Sequence, residues 1–145
     1  MALDRGRLTA DGEPPTELVG AAHLYVDYQR LRLAGSRSAA RNLIDALGSP
    51  DEDLRTLAGM FLVRAGRRSV PELTKAIAGR HPQLPTCLLV LADIGGEQAK
   101  PTLTRFVDDP DAAVARSARD GLSTLAMREK LDKGETPWTP DEPAR

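Results

Sequence analysis

Residues 42–66 read Asn42-Leu43-Ile44-Asp45-Ala46-Leu47-Gly48-Ser49-Pro50-Asp51-Glu52-Asp53-Leu54-Arg55, continue through Leu57-Ala58 and Phe61-Leu62, and stop at Ala65-Gly66. Leu43, Ile44 and Leu47 recur at the steps of one helix face and leave Asp45 for solvent. Gly48-Ser49-Pro50-Asp51 ends that helix, since glycine and proline punctuate a chain. A second periodic run follows in Leu54, Leu57, Ala58, Phe61, Leu62 and Ala65. Its stripe is wider, as expected of a helix that touches both its own partner and its neighbours. The Asp51-Glu52-Asp53 acids fall on its first turn, where they complement the helix dipole, and Arg64 with Gly66 closes it. The stretch therefore predicts two helices around a Pro-Asp turn.

The same phrase recurs on the C-terminal side. Pro101-Thr102-Leu103-Thr104-Arg105-Phe106-Val107-Asp108-Asp109-Pro110-Asp111 leads into Val114, Ala118 and Leu122 to Leu125. Between the two copies, Pro71 to Ile77, then His81-Pro82, then Thr86 to Gly95 keep the apolar spacing but lack the acid after the proline. The turn prolines Pro50, Pro82 and Pro110 are spaced by 32 and 28 residues, within the range of stacked repeats. The middle second helix, Cys87 to Ile94, is apolar almost all round and belongs at the centre of a stack. Ahead of the copies, Thr16 can cap a helix with Leu18, Ala22, Tyr25 and Tyr28 or Gln29 on its apolar side, ended by Gly35. The fold class expected is all-α with about seven helices. A capping helix over 16–34 precedes pairs over about 38–66, 70–95 and 98–126. A flexible lead-in over 1–15 and a disordered, acidic, proline-rich tail over 130–145 flank them.

The run Leu-x-x-x-Leu, Gly-Ser-Pro-Asp, x-x-Leu-Arg, x-x-Ala, x-x-x-Leu ending at Gly66 resembles HEAT repeats of the short bacterial kind, also seen in phycobilin-lyase relatives. Residues 38–126 carry the resemblance. The family's turn Asp and following Arg fall on Asp51 and Arg55; in the third copy Asp111 matches, while Ala115 stands in the Arg position and Arg116 follows it. The middle copy has neither. The resemblance implies a curved αα-solenoid that holds another macromolecule against its second helices, and it implies no activity.

Composition narrows the function classes. Lys+Arg 20 against Asp+Glu 21 leaves a charge of -1, which disfavours a polyanion as the main partner. Aromatic residues are only 3% of the chain, too few for platforms that stack the bases of single-stranded nucleic acid. Cys87 is the only cysteine, so an internal disulfide and a cysteine zinc cage are both excluded and a reducing compartment fits. The beginning of the sequence lacks an apolar signal core and no long apolar run occurs, so a cytoplasmic protein with no membrane partner is expected. Cys87 sits in the most apolar segment and reads as a packing residue. His23 and His81 have no ligand-spaced partner, and the acidic clusters lack the pattern of a calcium loop and read as caps. Asp93-Ile94-Gly95-Gly96 follows a helix and reads as its C-cap rather than a phosphate cradle. Neither an enzyme nor a cofactor is expected.

What remains is a binding surface. Arg55, Gly59 and Met60 from the first copy, and Arg116 and Arg119 from the third, lie on second helices; Arg64, Arg67 and Arg68 cluster at a junction between copies. These arginines suit a partner's carboxylates or phosphates, or else pair with the turn aspartates. Trp138, between Pro137 and Thr139 and flanked by acids, has the makings of a recognition anchor, the alternatives being a solvated tail and one folded back on its own helices. The expected function is a non-catalytic protein–protein interaction module, an adaptor or small accessory subunit binding another protein, with a homo-oligomer compatible. The alternatives are a nucleic-acid-binding HEAT-like module and a lyase-like, cofactor-handling one.

Overall fold

The computed structural model describes residues 16–134, with side chains from Val19 onward; all regular structure among them is helical. The helices are α1 (Thr16–Ala34), α2 (Arg37–Ala46), α3 (Glu52–Ala65), α4 (Val70–Ala78), α5 (Leu84–Ile94), α6 (Ala99–Thr104) and α7 (Ala112–Asp132), with a 3-10 turn over Gly66–Ser69. The expected lead-in over 1–15 and residues 135–145, Trp138 included, lie outside the described residues.

Local chemistry sets the helix starts. Asp51 Oδ1 accepts hydrogen bonds from the backbone N–H of Asp53 at 2.8 Å and of Leu54 at 3.4 Å. Asp111 Oδ1 does the same at the head of α7, from Ala113 at 2.9 Å and Val114 at 3.5 Å. Each aspartate fills donors that the first helical turn leaves open and adds charge where the dipole favours it. Asp51→Ala and Asp111→Ala are each expected to lower unfolding free energy by about 1 kcal/mol, read as a shift of the urea midpoint at unchanged slope.

Consecutive helices joined by short turns pack as hairpins: α2 on α3, α4 on α5, α6 on α7. Between hairpins, α2 meets α4, while α3 meets α5 and α5 meets α7. α5 therefore packs against α3, α4, α6 and α7, and Leu84, Cys87, Leu88, Val90, Leu91 and Ala92 are all buried. α1 covers the other end, against α2 and α3, where Tyr28 stacks on Phe61 with ring centroids 4.7 Å apart and Tyr25 meets Phe61 edge-on.

Three details depart from the sequence expectation. On α1 the buried positions are Leu24, Asp27 and Leu31, not Ala22 and Tyr25, which are exposed. The register was obscured because a buried acid, Asp27, sits in the stripe, satisfied by Arg30 and Asn42 at 3.4 Å each. The first helix of the third pair is only six residues long. The chain leaves it through bonds from Arg105 N–H to Thr102 and from Phe106 N–H to Leu103, the tighter three-residue pattern, so Phe106 and Val107 pack from a turn. At the far end α7 runs through Lys130 to Asp132, because nothing breaks its pattern before Gly134. The result is six helices of nine residues or more and one short one among the described residues.

The middle turn, which lacks the acid of its counterparts, reaches an acid on either side instead, one on the α6–α7 turn and one on α2. Arg80 donates to both oxygens of Asp109 at 2.9 and 3.1 Å, linking the α4–α5 turn to the α6–α7 turn. The Arg80 guanidinium holds the Asp109 carboxyl below its usual range. In the other direction, His81 Nδ1 accepts the Gln83 N–H at 3.0 Å, which puts the ring proton of the neutral form on Nε2, donated to Asp45 at 2.9 Å. Basic residues thus take the place of the missing acid and reach the acids on either side.

Candidate partner-binding groove

Between α3 and α5 lies a groove of about 530 Å³. Leu47 and Val90 are buried at its base, whereas Met60 and Leu89 are 44% and 38% exposed, far more than the apolar residues beneath them. Polar groups mark the rim: Arg55, Thr56 and Arg64 on the α3 side, Thr86 and Asp93 on the α5 side. The combination of an apolar base with a few charged rim residues suits a side chain that is apolar and flanked by charge. Gly59 lies on the α3 wall, where a Cβ would stand 3.7 Å from Leu47 Cδ2, so its smallness widens the groove without being forced by contact.

The expected binding residues fall in separate places. Arg55, Gly59, Met60 and Arg64 come together in this groove. Arg67 and Arg68 lie apart, on the 3-10 turn, beside Gly35 and Pro71. Arg116 and Arg119 line a different hollow on α7 with Asp109 and Asp120. The α5 wall was missed from the sequence. Its signal was the spacing of Thr86 and Asp93, two polar residues seven apart in an otherwise apolar helix, which marks the face left uncovered around Leu89 and Val90.

The expected pairing of arginines with turn aspartates takes another form at Arg55. Its Nη1 donates to the carbonyls of Ser49 at 2.7 Å and Pro50 at 3.2 Å, while Asp51 is engaged as the α3 cap. The guanidinium supplies donors to a turn whose carbonyls have left the helix. Arg119 does meet a turn acid, Asp108, through an exposed contact of 3.6 Å. Arg68 lies over the end of α1: its Nη1 is 2.8 Å from where a Cβ on Gly35 would be, and the φ of +64° at Gly35 is what favours glycine there. Arg128 repeats the device on Gly95, and its Nη2 donates to the Asp93 carbonyl at 2.6 Å.

No family model, curated protein or solved structure matches this chain. The groove is therefore interpreted from its own chemistry.

That chemistry includes no accessible nucleophile at Cys87, which is completely buried. Burial, with a smaller contribution from the Asp45 charge, pushes its thiol up to about 11. Because the folded value exceeds the unfolded one, the contribution of Cys87 to stability is present below roughly pH 9 and is lost as pH rises towards about 11. Relative to Cys87→Ala, the native chain is expected to lose on the order of 2 kcal/mol more across that interval. Denaturant titrations at successive alkaline pH values check this; equal pH slopes for the two proteins would refute it. No helix among the described residues is long and apolar enough to cross a membrane.

Proposed function

We propose that this protein is a non-catalytic protein–protein interaction module, an adaptor or small accessory subunit, that grips a segment of another protein in the α3–α5 groove. In this reading the helices form an αα-solenoid of HEAT-like repeats, with α3, α5 and α7 as the binding layer. The succession of contacts from α3 to α5 to α7 supports it, as does the recurrence of an aspartate cap at the head of α3 and of α7. The observation that carries the proposal is the juxtaposition of exposed Met60 and Leu89 on facing helices, beneath Arg55 and Arg64. Desolvating two large apolar side chains favours association, and the arginines select an acid-bearing segment. A cytoplasmic location with no cofactor completes the proposal.

The test compares wild type with Met60→Glu/Leu89→Glu in capture from the native host, with circular dichroism showing equal helix content. Both residues are at the surface, so the fold is expected to survive. A protein retained by wild type and lost by the variant supports the groove. Retention by both places binding elsewhere and overturns the proposal. Gel-shift binding to DNA or RNA that weakens steeply with salt favours the nucleic-acid reading instead, in which the arginines bind phosphates.

A further inference from the structure

The charges that line the α3–α5 groove are sorted by wall. On the α3 side stand Arg55 and Arg64, on the α5 side Asp93. A further hollow, of about 490 Å³, repeats the order: Arg67, just past the end of α3, and Glu97, just past the end of α5, both line it. The ends of the two helices therefore lie together, with bases on one side and acids on the other. Arg64, Arg67, Asp93 and Glu97 are all exposed, and no ion pair joins any of the four among the described residues. Arg55 is engaged by the carbonyls of Ser49 and Pro50, and Arg128 bonds the Asp93 carbonyl, not its carboxylate.

The walls also decide what backbone can lie between them. Both are helices, whose N–H and C=O groups are bonded within each helix. An extended segment laid there strips water from its own backbone groups and finds no backbone partner on either side. A helix bonds its backbone internally and meets such a groove with side chains only. The lining rows fit one. Arg55, Gly59 and Val63 recur at four-residue steps on α3, and Thr86, Leu89 and Asp93 at three- and four-residue steps on α5. From Arg55 to Arg64 the wall runs roughly 14 Å at about 1.5 Å per residue, which is about two and a half turns of a helix lying lengthwise.

We propose that the partner segment is an amphipathic helix whose apolar ridge sits on Met60 and Leu89, with acidic side chains along its flank against α3 and basic ones along its flank against α5. This rests on the partner-binding reading of the groove and names what fills it. An acid reaching Arg64 and Arg67, and a base reaching Asp93 and Glu97, each complete a pair that the described chain leaves open. A helix with acids on both flanks meets repulsion along α5, and one with bases on both meets it along α3. The sorted walls thus select against either, which is discrimination by a repulsive element as well as an attractive one. They also set direction, because turning a given helix end for end exchanges its flanks and leaves only one orientation matched.

Fluorescein-labelled peptides of about fourteen residues, stapled because helices of that length are marginal in water, test this against the full chain. All carry the same leucine ridge and differ only in their flanks: glutamate on one and lysine on the other, glutamate on both, or lysine on both. Fluorescence anisotropy is expected to show the split-flank peptide binding roughly three- to ten-fold more tightly than either uniform one. Asp93→Lys/Glu97→Lys, at unchanged helix content, is expected to move the preference to the all-glutamate peptide, and Arg64→Glu/Arg67→Glu to the all-lysine one. Equal affinity for the three peptides, or a preference that these reversals leave in place, overturns the sorted-wall proposal; if that binding is lost with Met60→Glu/Leu89→Glu, the groove still stands as the binding site. A split-flank peptide broken by a central proline that binds as tightly as the stapled one overturns the helical occupant. Failure of every peptide to bind overturns the proposal, and binding that Met60→Glu/Leu89→Glu leaves untouched overturns the groove reading with it.

Discussion

Leu88→Ala is expected to destabilise the protein by about 3–5 kcal/mol, the upper part of the range for deleting a buried leucine. Leu88 is fully buried on α5, the helix that α3, α4, α6 and α7 all touch. Because α5 is held by four other helices, none of them can shift to fill a cavity at Leu88 without losing contacts elsewhere. The loss is a large fraction of what a domain of this size holds in total. Equilibrium urea unfolding followed by circular dichroism measures it. A loss below about 1 kcal/mol would mean that the site collapses freely and that α5 is not the centre of the packing.

Two helix glycines are expected to respond in opposite directions. At Gly121, on the buried face of α7, a Cβ would stand 3.1 Å from Ala92 Cβ and 3.1 Å from Leu103 Cδ2. That glycine lets α7 approach α5 and α6 closely, so Gly121→Val forces the helices apart at a cost of about 3 kcal/mol. Gly121→Ala costs less, because better helix propensity offsets part of the crowding. At Gly59 the added Cβ makes only ordinary contact with Leu47, so Gly59→Ala is expected to stabilise by about 1 kcal/mol. The same change narrows the partner groove and is expected to weaken capture of the partner. Thermal melts of the three variants, with capture by Gly59→Ala, separate packing from binding. A destabilised Gly59→Ala would show that the α3 wall has no spare room.

Only part of the groove could be read from the sequence, and the reason is visible in particular residues. Arg55, Gly59, Met60 and Arg64 share one wall because they share one face of α3, and a helix face follows from residue spacing. The opposite wall belongs to α5, whose apolar residues run almost all round, so spacing alone does not say which of them a neighbour leaves bare. The junction cluster expected of Arg64, Arg67 and Arg68 is split between the groove and the 3-10 turn, and Arg116 and Arg119 line a hollow apart from Arg55. Side-chain length lets Arg55 and Arg128 reach backbone carbonyls, and those partners lie six residues away in one case and thirty-five in the other.

By itself the sequence determined the all-helical class, the aspartate caps at Asp51 and Asp111, the glycine that ends α3, and the burial of Cys87 in an apolar segment. Each of these depends on chemistry within about one helical turn, or on an apolar run long enough to have only one use. Only the tertiary structure decided that α1 turns Asp27 inward, that α6 stops after six residues, and that Arg80 and His81 tie the middle turn to Asp109 and Asp45. It also decided that Leu89 faces Met60 across an open groove. Those outcomes depend on which surfaces meet between segments far apart in the chain, where burial of one group is settled by the position of another, and no local pattern contains that position.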